Sequence, residues 1–330
     1  MRLPKFQLLQ PKSVEEAADL LTKHEKSTRI MAGGTDILPR MKYGLESPEF
    51  VVGLSNLPVR KPRDSDGTLV LDALMTLSDV AQNEIIQKNA LVLAEAAHAV
   101  GSYQIRNMGT LGGNLCQETR CSYYNQSHGY QFVEPCFKRN GDQCYFIPKG
   151  KKCWAILMSD IAPALFSLGA SVEVVSNGRL DRTPIDRIYT KDPLHPIDLS
   201  KRQLLVAITV PRKSGLCGSA FAKFTVRGGL EFAAINIAVV LQVKEDGLTC
   251  SNARISVGAI AAAPIRLEKV ESMLAGQKLS RDLFNDAGLM AADEITPIPH
   301  HGFSMSYLKV CLRSIARDAL ALAYSRIACH

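Results

Sequence analysis

Apolar positions along the chain recur at helical spacing in some segments and as short continuous runs in others, and their order predicts a mixed α and β protein. Ser13 followed by Glu16 is a capping-box signal, and Val14, Ala17, Ala18 and Leu21 then share one face of a helix ending near His24. Next come a strand over Arg29–Ala32, a tight Gly33-Gly34-Thr35-Asp36 turn, a helix from Ile37 to Tyr43 closed by Gly44, and a strand at Phe50–Gly53. A second unit opens with a strand from Leu69 to Leu71. Thr76 then caps a helix carrying Leu77, Val80, Ile85 and Ile86, and an alanine-rich helix over Ala90–Val100 is stopped by Gly101. Ser102 to Cys116 holds Gly109, Gly112 and Gly113 without periodicity, so it is expected to be a loop running over a ligand or another backbone.

Further on, the pattern gives a short helix at Ile161–Leu168, a strand at Val172–Val175, a turn at Asn177-Gly178 and a strand at Leu204–Val210. Pro211-Arg212-Lys213-Ser214-Gly215 is the best linker. Beyond it, strands are predicted over 220–226, 235–243 and 253–260, with helices over 266–274, 281–294 and 307–327. The expected fold class is α+β, ending in an antiparallel sheet with helices on one face. The expected parts are 1–55, 56–214 with a cysteine-rich insertion at about 117–155, and a C-terminal α+β domain at 215–330.

At 330 residues the chain exceeds the roughly 250–300 at which one core stops growing, which supports two domains or three subdomains. Apolar residues at 46% and charged residues at 22% fit a folded protein. The net charge of +7 is spread, with no basic run longer than Lys149-Gly150-Lys151-Lys152, so no nucleic-acid partner is expected; an acidic protein partner explains the charge as well. No apolar stretch reaches the roughly 18–20 residues of a membrane span, and Met1 to Gln7 lacks an apolar signal region. A cytoplasmic chain without membrane contact is expected, with its thiols reduced. The nine cysteines are uneven: Cys116, Cys121, Cys136, Cys144 and Cys153 crowd together, while Cys217, Cys250, Cys311 and Cys329 are scattered.

Glycine pairs let backbone N–H groups approach a phosphate closely. Two such loops occur, Ala32-Gly33-Gly34-Thr35-Asp36 and Gly109-Thr110-Leu111-Gly112-Gly113-Asn114. Both could clamp one pyrophosphate, or each could be a plain turn; neither matches the dinucleotide or P-loop fingerprints. Four cysteines, Cys121, Cys136, Cys144 and Cys153, separated by 14, 7 and 8 residues, could hold zinc or an iron-sulfur cluster, or be buried free thiols. The seven histidines are scattered and no nucleophile-base constellation, molybdopterin motif or 2Fe-2S motif is present, so no catalytic residue is assigned. The expectation is a chain that moves electrons while another subunit does the chemistry.

The wording of both loops resembles the FAD pyrophosphate loops of the flavoprotein subunits of the xanthine dehydrogenase and carbon monoxide dehydrogenase family. Ser159-Asp160-Ile161-Ala162-Pro163-Ala164 is similar to that family's S-D-x-x-P-A segment, and Lys223 with Arg227 to its K-F-x-x-R context. The resemblance implies a two-part FAD-binding domain of the vanillyl-alcohol-oxidase-like type. It implies that Ile30, Met31, Ala32, Gly33, Gly34, Thr35 and Asp36 line the first phosphate loop, and that Thr110, Gly112, Gly113, Asn114 and Gln117 belong to the second. By the same carry-over Asp160 would bond ribityl or ribose hydroxyls, and Lys223 would lie near the flavin ring; the alternatives are a helix N-terminal carboxylate and a solvated strand residue.

Cys116 to Ser127, with the cysteine-bearing insertion through Cys153-Trp154, resembles one branch of that family, the 4-hydroxybenzoyl-CoA reductases, whose flavoprotein subunit carries an extra 4Fe-4S cluster. This implies Cys121, Cys136, Cys144 and Cys153 as cluster ligands, with Cys116 left to the flavin side. Lys138, Arg139, Lys149, Lys151 and Lys152 would raise the cluster's potential, or form a solvated hairpin surface or a docking patch for an acidic electron carrier. The implied partners are a molybdopterin-bearing large subunit, a 2Fe-2S small subunit and ferredoxin as donor, assembled as a dimer of heterotrimers. The alternatives are the FAD subunit of a related hydroxylase acting on carbon monoxide, a purine or another aromatic acyl-CoA, and a Cys₄ zinc module for assembly or regulation.

Overall fold

The computed structural model describes residues 2–127 and 134–327. Cys329 and residues 128–133 of the expected insertion lie outside the described residues.

The first unit comprises β1 (Gln7–Leu9), α1 (Val14–Lys23), β2 (Thr28–Met31), α2 (Ile37–Lys42) and β3 (Phe50–Gly53). Its three strands are parallel in the order β1-β3-β2. Ser13 caps α1 as expected, its hydroxyl accepting from the Glu16 N–H, while the Glu16 carboxylate reaches one residue past the cap and accepts from the Lys12 N–H at 2.7 Å. Ala17, Ala18 and Leu21 are the buried face of α1.

The second unit runs through β4 (Arg63–Ser65), β5 (Thr68–Asp72), α3 (Leu77–Gln82), α4 (Glu84–Asn89), α5 (Leu91–His98), α6 (Tyr103–Met108) and α7 (Leu111–Leu115). After the cysteine segment it resumes with α8 (Ile161–Leu168), β6 (Ser171–Ser176), β7 (Arg179–Pro184) and β8 (Leu204–Pro211). The five strands form an antiparallel sheet in the order β4-β5-β8-β6-β7. The expected loop over Ser102–Cys116 is corrected here: it contains two short helices, α6 and α7. Ser102 caps the first by accepting from the Ile105 N–H, and Thr110 caps the second by accepting from the Gly113 N–H. The single helix expected from Leu77 to Ile86 is broken at Asn83, whose side chain caps α4.

The third unit holds β9 (Cys217–Phe224), β10 (Ile235–Val243), β11 (Cys250–Gly258), β12 (Ile265–Arg266), α9 (Glu268–Leu274), α10 (Arg281–Glu294) and α11 (Met305–Ser325). Its antiparallel sheet has the order β12-β11-β10-β9. Ile237, Val239 and Leu241 pack with Leu308, Leu312 and Ala316 of α11, whereas Ala238 and Val240 join the core of the second unit. Strand β10 is therefore apolar on both faces, which explains its hydrophobic run Ile237–Leu241. Charge closes the same seam: Arg326 pairs with Glu95 of α5 at 2.5 Å, and the Phe221 N–H donates to Glu95 at 2.9 Å.

Strand β9 touches α11 so closely that a Cβ on Gly218 would lie 2.0 Å from the Ala323 carbonyl oxygen. Gly218→Ala is expected to destabilise the chain by about 1–3 kcal/mol, read as a lowered Tm in thermal unfolding. An unchanged Tm would contradict this packing.

Candidate functional site

The two glycine loops touch through their backbones. A Cβ on Gly33 would fall 1.6 Å from the Met108 carbonyl oxygen, so no other residue fits there without separating the loops. Gly34 has φ +74°, a left-handed conformation that also favours glycine. The second loop is stitched to the segment before α3: Leu77 N–H donates to Gly109, Leu111 N–H to Met75 and Gly112 N–H to Ala73.

On one side of this contact lies a cavity of about 630 Å³, reaching from α6 and α7 to Asp160 and to residues 226–232 of the third unit. On the other side lies one of about 320 Å³, bordered by Ile30, Ala32, Arg40, Leu54, Cys116 and Leu204 among others. Thr35, Asp36, Thr110 and Gly113 wall both. Of the expected loop residues, Gly33, Gly34 and Gly112 line the smaller chamber, and Asn114 and Gln117 the larger. Met31 lines neither; it packs against the apolar cluster of Ile37, Met41 and Val51. Cys116 is exposed and borders the smaller chamber.

The loops differ in what they can donate. In the second, the N–H groups of Leu111, Gly112 and Gly113 are already bonded within the protein. In the first, those of Gly33, Gly34 and Thr35 meet no acceptor among the described residues. Two buried guanidinium nitrogens are likewise unpartnered, Nε of Arg40 beside the smaller chamber and Nε of Arg120 beside the larger. Free N–H groups and cations gathered where two chambers meet suit an anionic diphosphate joining two planar ends.

Asp160 immediately precedes α8, but its carboxylate does not cap that helix. It accepts instead from Lys223 Nζ at 2.7 Å and from Asn236 Nδ2 at 2.6 Å, while Lys223 also donates to the Ala99 carbonyl at 2.8 Å. Burial pushes the Asp160 carboxyl up, and Lys223 and Asn236 offset this only in part. Asp160 lines the larger chamber; Lys223 stands behind it and lines neither.

Cys121, Cys136, Cys144 and Cys153 all border one small space of about 10 Å³, walled by Tyr123, Tyr124, Phe146 and Trp154 and by Lys138. All four are free thiols, and Cys116 is not among the lining residues. Burial pushes the Cys121 and Cys153 thiols up. No group of three or more His, Cys, Asp or Glu among the described residues is drawn together as a finished metal site. The donor set is that of a soft metal or cluster.

The family model for the FAD binding domain in molybdopterin dehydrogenase matches residues 4–213, and that for the CO dehydrogenase flavoprotein C-terminal domain matches residues 219–323. The chain belongs to this family of FAD-binding flavoproteins of molybdopterin dehydrogenases. It is 28% identical over 324 residues to the aldehyde oxidoreductase FAD-binding subunit of Escherichia coli, covering 93% of this chain and 96% of that one. It is 26% identical over 327 residues to the carbon monoxide dehydrogenase medium chain of Hydrogenophaga pseudoflava, covering 98% and 99%. The fold matches that of a carbon monoxide dehydrogenase structure from Hydrogenophaga pseudoflava with a TM-score of 0.80 at 24% identity, covering 99% of both chains. It matches quinoline 2-oxidoreductase from Pseudomonas putida 86 with a TM-score of 0.79 at 20% identity, again covering 99% of both.

FAD suits the paired chambers, the free N–H groups of the first loop and the unpartnered guanidinium nitrogens. Sequence reasoning missed Arg40 and Arg120 as wall residues; the Asp36–Arg40 spacing of one helical turn was the available signal. Gly33→Ala should separate the loops at a cost of about 1–3 kcal/mol, weakening FAD binding about ten- to a hundredfold. Gly218→Ala, at a similarly crowded glycine that lines neither chamber, is the control. Flavin fluorescence titration checks this, and equal affinity in the two variants would contradict it.

Proposed function

We propose that this flavoprotein is the FAD and 4Fe-4S subunit of a 4-hydroxybenzoyl-CoA reductase. The reaction replaces the para hydroxyl of the aromatic thioester by hydrogen, consuming two electrons and two protons and releasing water, with reduced ferredoxin as donor. The observation that carries the reading is the gathering of four free cysteines around one aromatic-walled space, in a segment next to the glycine loops.

In this reading Cys121, Cys136, Cys144 and Cys153 hold the cluster, which supplies one-electron transfer at the point of entry. FAD supplies storage for one or two electrons, so that single electrons can be accumulated or pairs divided. The N–H groups of Gly33, Gly34 and Thr35, with Arg40 and Arg120, hold the diphosphate. Thr110, Gly112 and Gly113 keep the second loop in place, and Asn114 and Gln117 face the flavin side. Asp160, fixed by Lys223 and Asn236, accepts from sugar or ribityl hydroxyls, and Lys223 acts through Asp160. The substrate site lies on a molybdopterin-bearing large subunit, a small subunit with 2Fe-2S clusters links it to this chain, and the whole is a dimer of heterotrimers in the cytoplasm. The exposed lysines of the cysteine segment would receive an acidic carrier such as ferredoxin.

A second reading is the FAD subunit of another molybdenum hydroxylase, favoured by relatives named for aldehydes, carbon monoxide and caffeine. Anaerobically purified chain is expected to hold about four iron atoms and four sulfides. A zinc-only preparation would overturn the cluster. Cys136→Ser should abolish ferredoxin-driven turnover while leaving most turnover with artificial carriers; retention of both would favour the second reading.

A further inference from the structure

The charged side chains between the first glycine loop and the cysteine space form one connected set. Asp36 pairs with Arg120 at 2.5 Å and with Arg40 at 3.7 Å. Arg40 reaches Glu46 at 2.5 Å and Glu118 at 3.6 Å, and Glu46 also holds Arg29 at 2.7 Å. Glu118 in turn holds Lys138 at 2.7 Å, and its own N–H points to Asp36 at 3.4 Å. Four cations face three carboxylates, which leaves one positive charge over.

Lys138 is the last link and the most buried, with its side chain 5% exposed. Its Nζ also donates to the carbonyls of Pro193 at 2.5 Å and Leu194 at 3.3 Å, and sits 5.2 Å from the centre of the Tyr124 ring. It borders the space shared by the four cysteines, and it is carried on the turn Phe137–Arg139 that Cys136 begins. Whatever holds Cys136 in place therefore also holds Lys138 against Glu118. Without Lys138, Glu118 is a part-buried carboxylate with one remaining cation in reach, Arg40, which Asp36 also uses. Drawing Arg40 towards Glu118 takes it from the wall of the smaller chamber.

We infer that Lys138 and Glu118 are positioning residues that make retention of FAD depend on occupancy of the cysteine site. The inference rests on the cluster reading given above and adds a coupling between its two cofactors. Because linkage is reciprocal, FAD in turn favours the closed cysteine turn. The sign is positive: filling the cysteine site keeps Glu118 neutralised and leaves Arg40 to the phosphate loop.

The test is the FAD dissociation constant of the purified full chain, by flavin fluorescence, with the cluster reconstituted and with the cysteines metal-free. The wild type should bind FAD about tenfold or more tightly when loaded. In Lys138→Met the two states should bind equally and weakly, and Lys138→Arg should restore most of the ratio. The double variant Glu118→Gln with Lys138→Met removes the stranded carboxylate, so its affinity should recover while the ratio stays at one. A wild-type ratio of one in iron-loaded chain, or a full ratio in Lys138→Met, overturns the coupling alone. A chain that takes up no iron overturns the cysteine reading and this inference together.

Discussion

The site depends on one contact that leaves no room for a side chain, Gly33 against the Met108 carbonyl. It joins a small parallel sheet to a helical segment more than seventy residues further on, in two units that also share an apolar seam where Ala17, Leu21 and Val52 meet Leu204 and Val206. Once the loops touch, Thr35 and Asp36 come to share a wall with Thr110 and Gly113, and a chamber opens on either side. The tie to Ala73, Met75 and Leu77 then fixes the second loop from behind, which uses up its N–H groups and leaves the donors of the first loop for a ligand.

Electrostatics extends from the same place. Asp36 anchors Arg40 and Arg120, and through Glu118 the charges continue to Lys138. Part-buried ions are costly to desolvate and are tolerated when each has counter-charge nearby. Burial works against the charge on Arg40, yet Asp36, Glu46, Tyr124 and Glu118 outweigh it and hold its pKa above the usual guanidinium value. Burial likewise opposes charge on Glu118, and Lys138 with its other partners holds that carboxyl below the usual range. An anionic cofactor at one end and thiolate ligands at the other would match the single surplus positive charge.

Elements with their own local signal were legible in the sequence. Strand β10 over 235–243 and helix α10 over 281–294 match the expected bounds to the residue, β10 because it carries the apolar run Ile237–Leu241. Helices α6 and α7 were not legible, since Gly109, Gly112 and Gly113 hide any apolar period and their helical order comes from side-chain caps and packing on Ala73. Strand β7 was missed because it is an almost wholly exposed edge without alternating apolar residues. In the site, the loops and Asp160 were legible from motif wording, whereas the partnership of Asp160 with Asn236, and of Asp36 with Arg120 and Glu118, joins positions about eighty residues apart and leaves no periodic trace.

The cysteine segment is the part of the account with the largest functional consequence, since the proposed cluster would make this chain the place where electrons enter. Rapid freeze-quench of the oxidised complex mixed with reduced ferredoxin tests that claim most directly, following the paramagnetic signal of a reduced 4Fe-4S cluster alongside bleaching of the flavin absorbance. The account predicts that the cluster signal rises first and that flavin bleaching follows it, with both lost in Cys136→Ser. Flavin that bleaches at the same rate with no preceding cluster signal, or in the Cys136→Ser variant, would contradict it.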